Sequence, residues 1–589
     1  MFKKNLNLIL VCFLAAIFFV LCASFNYLSQ DQNFTKWSSP DETANYFFAK
    51  RLSQEGNLSF FDSANLISEG WTMPRSVRSD EGWTKPVSFL GIILIYGGLG
   101  AIFGLALIPF LTPLFAALGI IIFYLIIKRL FSDRIALWSA VLLASFPVYI
   151  YYSARSMFHN VLFIVFCLFA WYFLLLAASS PTVSNKISSW FLNKKIWLSL
   201  TFAFFSGIFL GLAAITRTSE ILWLLPVAGL IALVYCRHLR LSAWLLSGLG
   251  FMVPLIPVAY YNQLLYGAFW RGGYNELNLS VNSILNSSSD LWRFTWLGQF
   301  DYYWNYLSNI FHQVFYFGFK YEKSLIAFSH YVIEMFPWLF WAGLLGLIIL
   351  IVRIIWCFEK KYLIYLVALF LLSVYLIFYY GSWQFNDNPD ITRFTIGNSY
   401  TRYWLPIYLG LMPLASLAII RVTESLLGFK SKNIANWRRL LALGLQMTIV
   451  LAITTWSLLF VFSGSEEGLL YIYYNNLEER RGVEQVWSLT ENKSIIVTRY
   501  HDKFLWPERR VIIGTLPNDE ISQTMKRLVV YYPLYYYHFY LNETDVNYLN
   551  SRKLATYNLR LILVKRIGAK FALYRIVRPV GPLRSDNRL

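Results

Sequence analysis

What most constrains this chain is a series of apolar runs, each about long enough to cross a bilayer. They fall at 6–24, 110–128, 135–152, 160–178, 196–215, 221–236, 241–261, 331–352, 361–380, 403–420 and 440–462. A soluble protein of 589 residues would bury several separate cores and carry more charge than the 14% found here. The sequence holds 40 Tyr and 22 Trp, whose amphipathic rings suit the boundary between lipid and water. The expected class is an α-helical polytopic membrane protein with about 11–13 transmembrane helices. A small α/β domain is expected at its C-terminal end.

The formal net charge of +19 could suggest a nucleic-acid partner, so the charges must be placed. Clusters sit at Lys3-Lys4, Lys128-Arg129-Arg134, Lys186-Lys194-Lys195, Arg237-Arg240, Arg353-Lys360-Lys361 and Arg421 through Arg439. These connections carry 18 basic residues against only Asp133, Glu359 and Glu424, and so hold most of the excess. That asymmetry is the positive-inside signature of cytoplasmic loops, and no nucleic acid is needed to explain it. It places the N-terminus in the cytoplasm and the C-terminal part outside a cytoplasmic membrane. Lys3-Lys4 before Leu6–Ala23 has the form of a signal peptide, but an uncleaved first helix is the expected reading. Pro86 to Leu107 does not fit the count of crossings and reads as a helix packed from the outer side or a re-entrant segment. The five cysteines, Cys12, Cys22, Cys167, Cys236 and Cys357, lie in or beside apolar runs, which argues against disulfides and zinc-cysteine sites.

Four outer segments follow: 25–85, Asn262 to about His330, Gly381 to Arg402, and Ser463 onward. The first has six basic and eight acidic residues, opposite in sign to the inner loops. The division expected is a membrane catalytic domain over 1–465 and a soluble extracytoplasmic domain over 466–589. In the latter, 494–498, 510–514 and 528–532 read as strands, 519–528 as a helix, and 559–565 with 570–576 as a hairpin turning at Gly568. The run Tyr531 to Tyr540 could stack on sugars, although such runs more often pack on a membrane surface or a core. Sequons at Asn33, Asn57, Asn286 and Asn542 fall in outer segments, and no tandem repeat is evident.

The candidate chemistry begins at Ser39-Pro40-Asp41-Glu42. Ser39 and Glu42 form a capping box with Pro at the first helical position, so Glu42 has a structural use. The cap does not require Asp41, and a carboxylate at a helix start beside the membrane can act as a general base. The helix that follows carries Tyr46 and should stop at Gly56. Lys85 precedes an apolar helix, where it either snorkels or meets a lipid phosphate. Arg155, Arg217, Arg271 and Arg402 sit at the outer ends of helices, where the charge rule disfavours arginine. Guanidinium forks match phosphate oxygens, which gives them a purpose, although Arg217 has Glu220 nearby as a partner.

The acidic pair Asp41-Glu42, then Lys85-Pro86, then Arg402-Tyr403 before a late span resembles the GT-C glycosyltransferases. The protein O-mannosyltransferase and aminoarabinose transferase group is the part of that superfamily it is most similar to. Ser145-Phe-Pro147 with Tyr151 to Arg155, Gly211 to Arg217, and Tyr261-Asn262 with Tyr266-Gly267 add to the likeness, which covers about residues 1–465. The resemblance implies transfer of a sugar from a polyprenyl-phosphate carrier to a lipid, glycan or protein acceptor on the outer face. It implies Asp41 as catalytic carboxylate with Glu42 beside it. Lys85 and Arg402 would hold the carrier phosphate, with Arg217 and Arg271 as further candidates. Tyr46, His159, Asn160 and Tyr403 are candidate substrate contacts. Many relatives carry Asp where this chain has Asn160, and some use that Asp near a divalent metal. A metal on Asp41 with His159 or Asn160 is therefore the weakest implied feature, because an amide is a poor, neutral ligand. A transporter or flippase of lipid-linked sugars, or a non-catalytic envelope-assembly protein, are the competing readings. The ionisable residues collect at helix ends and in outer loops, and internal repeats are lacking, which favours the enzyme.

Overall fold

The computed structural model describes residues 2–30, 37–179, 194–235, 239–274, 278–279, 308, 310–385, 387, 394–427, 436–464 and 466–579. The sequons at Asn33 and Asn286, together with Cys236, Lys186 and Arg237, lie outside the described residues. The chain forms two compact units. One holds Met1–Asn26, Pro109–Tyr260 and Phe269–Tyr471; the other holds Tyr27–Ile108, Tyr261–Ala268 and Ile472–Leu589.

The first unit is built of long apolar helices. Among the described residues of the whole chain, nine helices are long and apolar enough to span a membrane, or ten if a bent pair counts as one span. This is a multi-pass membrane protein. Most of the expected runs appear directly, for example Leu105–Leu130, His159–Ser179 and Leu405–Leu426. Two depart from expectation, each for a local reason. The run at 135–152 is two helices, Asp133–Ala144 and Pro147–Arg155, bent by 53°. Pro147 has no N–H for the preceding turn and opens the second helix instead. The run at 331–352 is replaced by Pro337–Trp356, again with proline opening the helix, after a π-helical turn over Ser329–Glu334. The run at 221–236 appears as the helix Ile221–Tyr235, which carries Pro226 inside it and is too short to be counted among the nine.

The second unit joins the first outer segment to the C-terminal residues. Its five-stranded sheet runs β5-β4-β6-β8-β7, with β4 (Ile495–Thr498), β5 (Arg510–Ile513), β6 (Leu534–Phe539), β7 (Arg560–Ile567) and β8 (Phe571–Val577). β4 is parallel to β5 and β6, and the β7–β8 pair is the expected hairpin, turning at Gly568 with φ 62°. The strand expected at 528–532 is absent. The helix Asp519–Leu528 ends there instead, and Tyr532 N–H bonds back to the Leu528 carbonyl. β6 starts only after Pro533, which cannot donate to a ladder. The tyrosine run therefore supplies a strand. Tyr535, Tyr536 and Tyr537 are all buried in this unit, which settles them as core.

The first segment adds a three-stranded sheet, β1-β3-β2, with β1 (Phe60–Phe61), β2 (Val77–Asp80) and β3 (Trp83–Pro86). Glu81 and Gly82 both have positive φ, as a two-residue hairpin between right-twisted strands requires. Three ion pairs fasten this segment to the C-terminal residues: Arg75–Asp502 at 2.6 Å, Asp62–Arg510 at 3.0 Å, and Glu69–Arg527. Asp502 is fully buried, so its pairing offsets a desolvation cost that an unpaired carboxylate could not bear.

The apolar stretch at 86–107 also belongs here. Its helix, Leu90–Phe103, has 14 residues and so reaches only ~21 Å, short of a full crossing by itself. It packs on the helix Pro40–Glu55 through Gly97 and Gly100. A Cβ on Gly97 would lie 2.7 Å from Leu52, and one on Gly100 2.6 Å from Ser53. Ser53 Oγ donates to the Gly97 carbonyl at 2.6 Å across this contact.

One pH effect arises in the second unit. Burial, with the charges of Arg499 and His501 adding to it, holds the His538 imidazole below its ordinary pKa. The folded unit then binds fewer protons at this site than the unfolded chain, whose histidines titrate near about 6.5. The contribution of His538 to stability is thus complete above that pH and is lost as the pH falls. Thermal unfolding at pH 7.5, 6.5 and 5.5 should show a falling midpoint, and His538→Gln should flatten part of the slope. Identical slopes for both proteins would remove His538 from the account.

Candidate functional site

In the second unit, Asp41 is the second residue of the helix Pro40–Glu55. Glu42 is fully buried and accepts the Ser39 N–H at 3.2 Å, closing the capping box. The helix ends as expected at Gly56, φ 67°, whose N–H bonds the Leu52 carbonyl. Asp41 is half-buried and accepts a short hydrogen bond from the Ser76 hydroxyl. Ser76 has φ 64°, a left-handed conformation that a non-glycine residue adopts at some cost. It immediately precedes β2. Sequence reasoning passed over Ser76, because a serine 35 positions away carries no local signal of that contact. Tyr46 lies one turn on, with its ring 4.8 Å from that of Trp37.

Lys85 lies on β3, opposite Arg78 of β2. It does not snorkel, being only 8% exposed. Its ammonium is 2.6 Å from Asp80 and donates to the Leu265 carbonyl at 2.7 Å. It also lies 5.4 Å from the centre of the Tyr266 ring. Asp80 would be raised by burial, but bonds from Arg78 and Lys85 overcome that and hold its carboxyl below the ordinary value. Ser76, leading into β2, and Lys85, on its partner strand β3, thus tie Asp41 and Lys85 to one small sheet.

In the first unit a cluster forms around Arg217, which is 7% exposed. Its Nε donates to Glu220 at 2.9 Å, its other nitrogens reach Asn160 Oδ1 at 3.4 Å and the Tyr380 hydroxyl at 3.1 Å, and its guanidinium lies over the Tyr403 ring. Glu220 also accepts from Tyr380 and from Trp223 Nε1, each at 2.5 Å. Tyr380 and Tyr403 stack with ring centres 4.2 Å apart. The alternative weighed for Arg217, a pair with Glu220, is therefore present. Arg402 donates to Ser399 Oγ at 2.8 Å and lies over the rings of Phe158 and Tyr403. The Arg402 carbonyl accepts from Asn160 Nδ2 at 3.2 Å. Arg155 covers the other contact of Phe158, with 4.9 Å to the ring centre. Phe158 and the buried His159 follow Ser156 and Met157, both with positive φ, where the helix Pro147–Arg155 breaks. Arg217, Asn160, Arg402 and Tyr403 thus come together in this unit. Arg271 lies exposed over the ring of its neighbour Trp270.

Trp223 connects this cluster to an apolar cavity of about 240 Å³ among the helices, lined also by Phe163, Leu224, Val227, Leu369 and Leu409. A polar, cationic cluster thus adjoins a space suited to hydrocarbon. A divalent cation does not fit Asn160. The amide oxygen, its ligating atom, already accepts from a guanidinium, whose charge would repel the ion. Among the described residues no three His, Cys, Asp or Glu side chains converge.

No family model matches the sequence, and no curated protein matches it. Several solved structures do. The oligosaccharyltransferase of Archaeoglobus fulgidus, tethered to an acceptor peptide, superposes with a TM-score of 0.52 at 12% identity, over 97% of this chain and 74% of that one. ArnT of Cupriavidus metallidurans, bound to undecaprenyl phosphate, superposes with a TM-score of 0.50 at 13% identity, over 95% of this chain and 97% of that one. Likeness over nearly the whole chain, at such low identity, is a statement about architecture. The chain shares the fold of these two proteins, which is the architecture expected from its resemblance to the GT-C group.

Proposed function

We propose that this chain is a membrane glycosyltransferase that moves a sugar from a polyprenyl-phosphate carrier to a lipid, glycan or protein acceptor on the outer face of a cytoplasmic membrane. The observation that carries this reading is Asp41, an Asp at a helix start held by Ser76, in a chain with the GT-C fold. One solved neighbour is bound to undecaprenyl phosphate and another is tethered to an acceptor peptide, which supports a lipid-linked donor and leaves the acceptor class open.

The reaction is a single displacement. Asp41 takes the proton of the acceptor hydroxyl as its oxygen bonds to the anomeric carbon. The bond from that carbon to the phosphate oxygen breaks, and polyprenyl phosphate leaves with the electron pair. One displacement inverts the anomeric configuration, so the linkage in the product should be opposite to that in the donor. The family resemblance implies Arg402, with Arg217, for the carrier phosphate; within their own unit they adjoin an apolar cavity of a kind that suits a prenyl chain. Lys85 joins that role by exchanging Asp80 for phosphate, since Asp80 keeps its bond to Arg78 at 2.9 Å. No step requires a nucleotide.

The test incubates the purified protein with radiolabelled polyprenyl-phosphate sugars and membrane extract, and asks which fraction becomes labelled. Label should appear in a lipid, glycan or protein fraction, and Lys85→Ala should raise KM for the donor more than it lowers kcat. Movement of labelled donor across vesicles without any covalent transfer would replace the enzyme with a flippase.

A further inference from the structure

The second unit contains a cavity of about 240 Å³ that plays no part in the reaction above. Its floor is polar and buried. Asn65 is 2% exposed; its amide nitrogen donates to Thr84 Oγ1 at 3.1 Å, while its Oδ1 is buried with no hydrogen-bond partner among the described residues. A buried amide oxygen left without a donor is costly, and such atoms are commonly met by a ligand. Asp62 also lines the cavity. It accepts from Arg510 Nε through both oxygens at 3.0 Å and from Ala64 N–H at 3.0 Å, which leaves acceptor capacity on its Oδ2. Much of the remaining lining is aromatic: Phe47 and Trp506 have ring centres 4.2 Å apart, and Phe60 and the half-exposed Phe61 also line the cavity.

The charges of the lining balance, Arg51 and Arg510 against Asp62 and Glu508. An anionic ligand would therefore find little net attraction. A hydroxyl-rich ring with one apolar face fits better. Its hydroxyls donate to Asn65 Oδ1 and Asp62, and its C–H face lies on the aromatic lining. We propose that this cavity, floored by Asn65 and Asp62 and walled by Phe60, Phe61 and Trp506, binds a neutral saccharide unit. The site does not rest on the transfer reaction. Binding is read without any donor, so it stands or falls separately from Asp41.

The test is saturation-transfer NMR on the full-length protein in a detergent without a sugar headgroup. The probes are methyl and octyl glycosides of mannose, glucose, galactose, rhamnose and N-acetylglucosamine, together with the peptide Gly-Ser-Gly-Ser-Gly. Transfer to at least one glycoside is expected. The methyl and octyl forms separate a free glycan from a lipid-borne one, and transfer to either supports the site. Asn65→Leu should reduce the signal at least five-fold. Phe61→Ala, at a half-exposed position where folding is not at stake, should do the same. Three outcomes would overturn the proposal: no transfer to any glycoside, equal transfer in both variants and the parent, or transfer to the peptide alone.

Discussion

Asp41→Asn should lower sugar transfer by about 10²–10⁴-fold, the range that general-base catalysis contributes, while leaving the protein folded in membranes. The amide is nearly the same size as the carboxylate, and its oxygen can still accept from the Ser76 hydroxyl. What it loses is the ability to take a proton. The informative contrast is Ser76→Ala, which keeps the base and removes its positioning bond. That variant should lose a smaller factor, chiefly in kcat, and Ser76→Thr should recover part of it. Glu42→Gln is expected to act on stability instead, because Glu42 is fully buried in the capping box. Initial rates with labelled donor, read beside thermal midpoints, separate these cases. Full activity of Asp41→Asn would sink the assignment.

The largest loss of stability should come from Glu220→Gln. Arg217 and Glu220 are 7% and 3% exposed, and removing one partner leaves the other charge buried without compensation, at a cost of about 3–5 kcal/mol. Glu220→Gln also weakens the bonds from Tyr380 and Trp223 to the carboxylate. The double variant Arg217→Met with Glu220→Leu should recover much of the loss, since replacing a whole buried pair by apolar groups is often close to neutral. Its transfer activity should stay low even so, because the guanidinium over Tyr403 is gone. Thermal unfolding of the three proteins decides the first part. A Glu220→Gln midpoint equal to the parent's would mean that the pair is not a stabilising element.

The architecture was legible because hydrocarbon thickness imposes one length on every span, and a run of some twenty apolar residues has few other uses. Legibility failed where a proline interrupted a run without changing its hydropathy, as at Pro147 and Pro337. In the C-terminal sheet, β4, β5 and the final hairpin were readable from β-branched residues and Gly568, whereas Leu528–Tyr532 had strand composition and formed a helix end. At the site, Glu42 and Arg217–Glu220 were readable because their partners lie three residues away. Ser76, Asp80 and Tyr380 were not. Ser76 and Tyr380 meet Asp41 and Glu220 across 35 and 160 positions, and Asp80 meets Lys85 across a hairpin whose register a sequence does not print.

The seam at Gly97 and Gly100 bears on how Asp41 could be kept at a constant level. An all-apolar helix of ~21 Å seeks oil, and it is clamped without slack to the helix that carries the carboxylate. Lipid against its exposed side would then act as a float for Asp41, the base proposed above. Swapping either glycine for valine would pry the two rods apart, and Asp41 would ride at a different height, while every residue proposed to touch the sugar stayed the same.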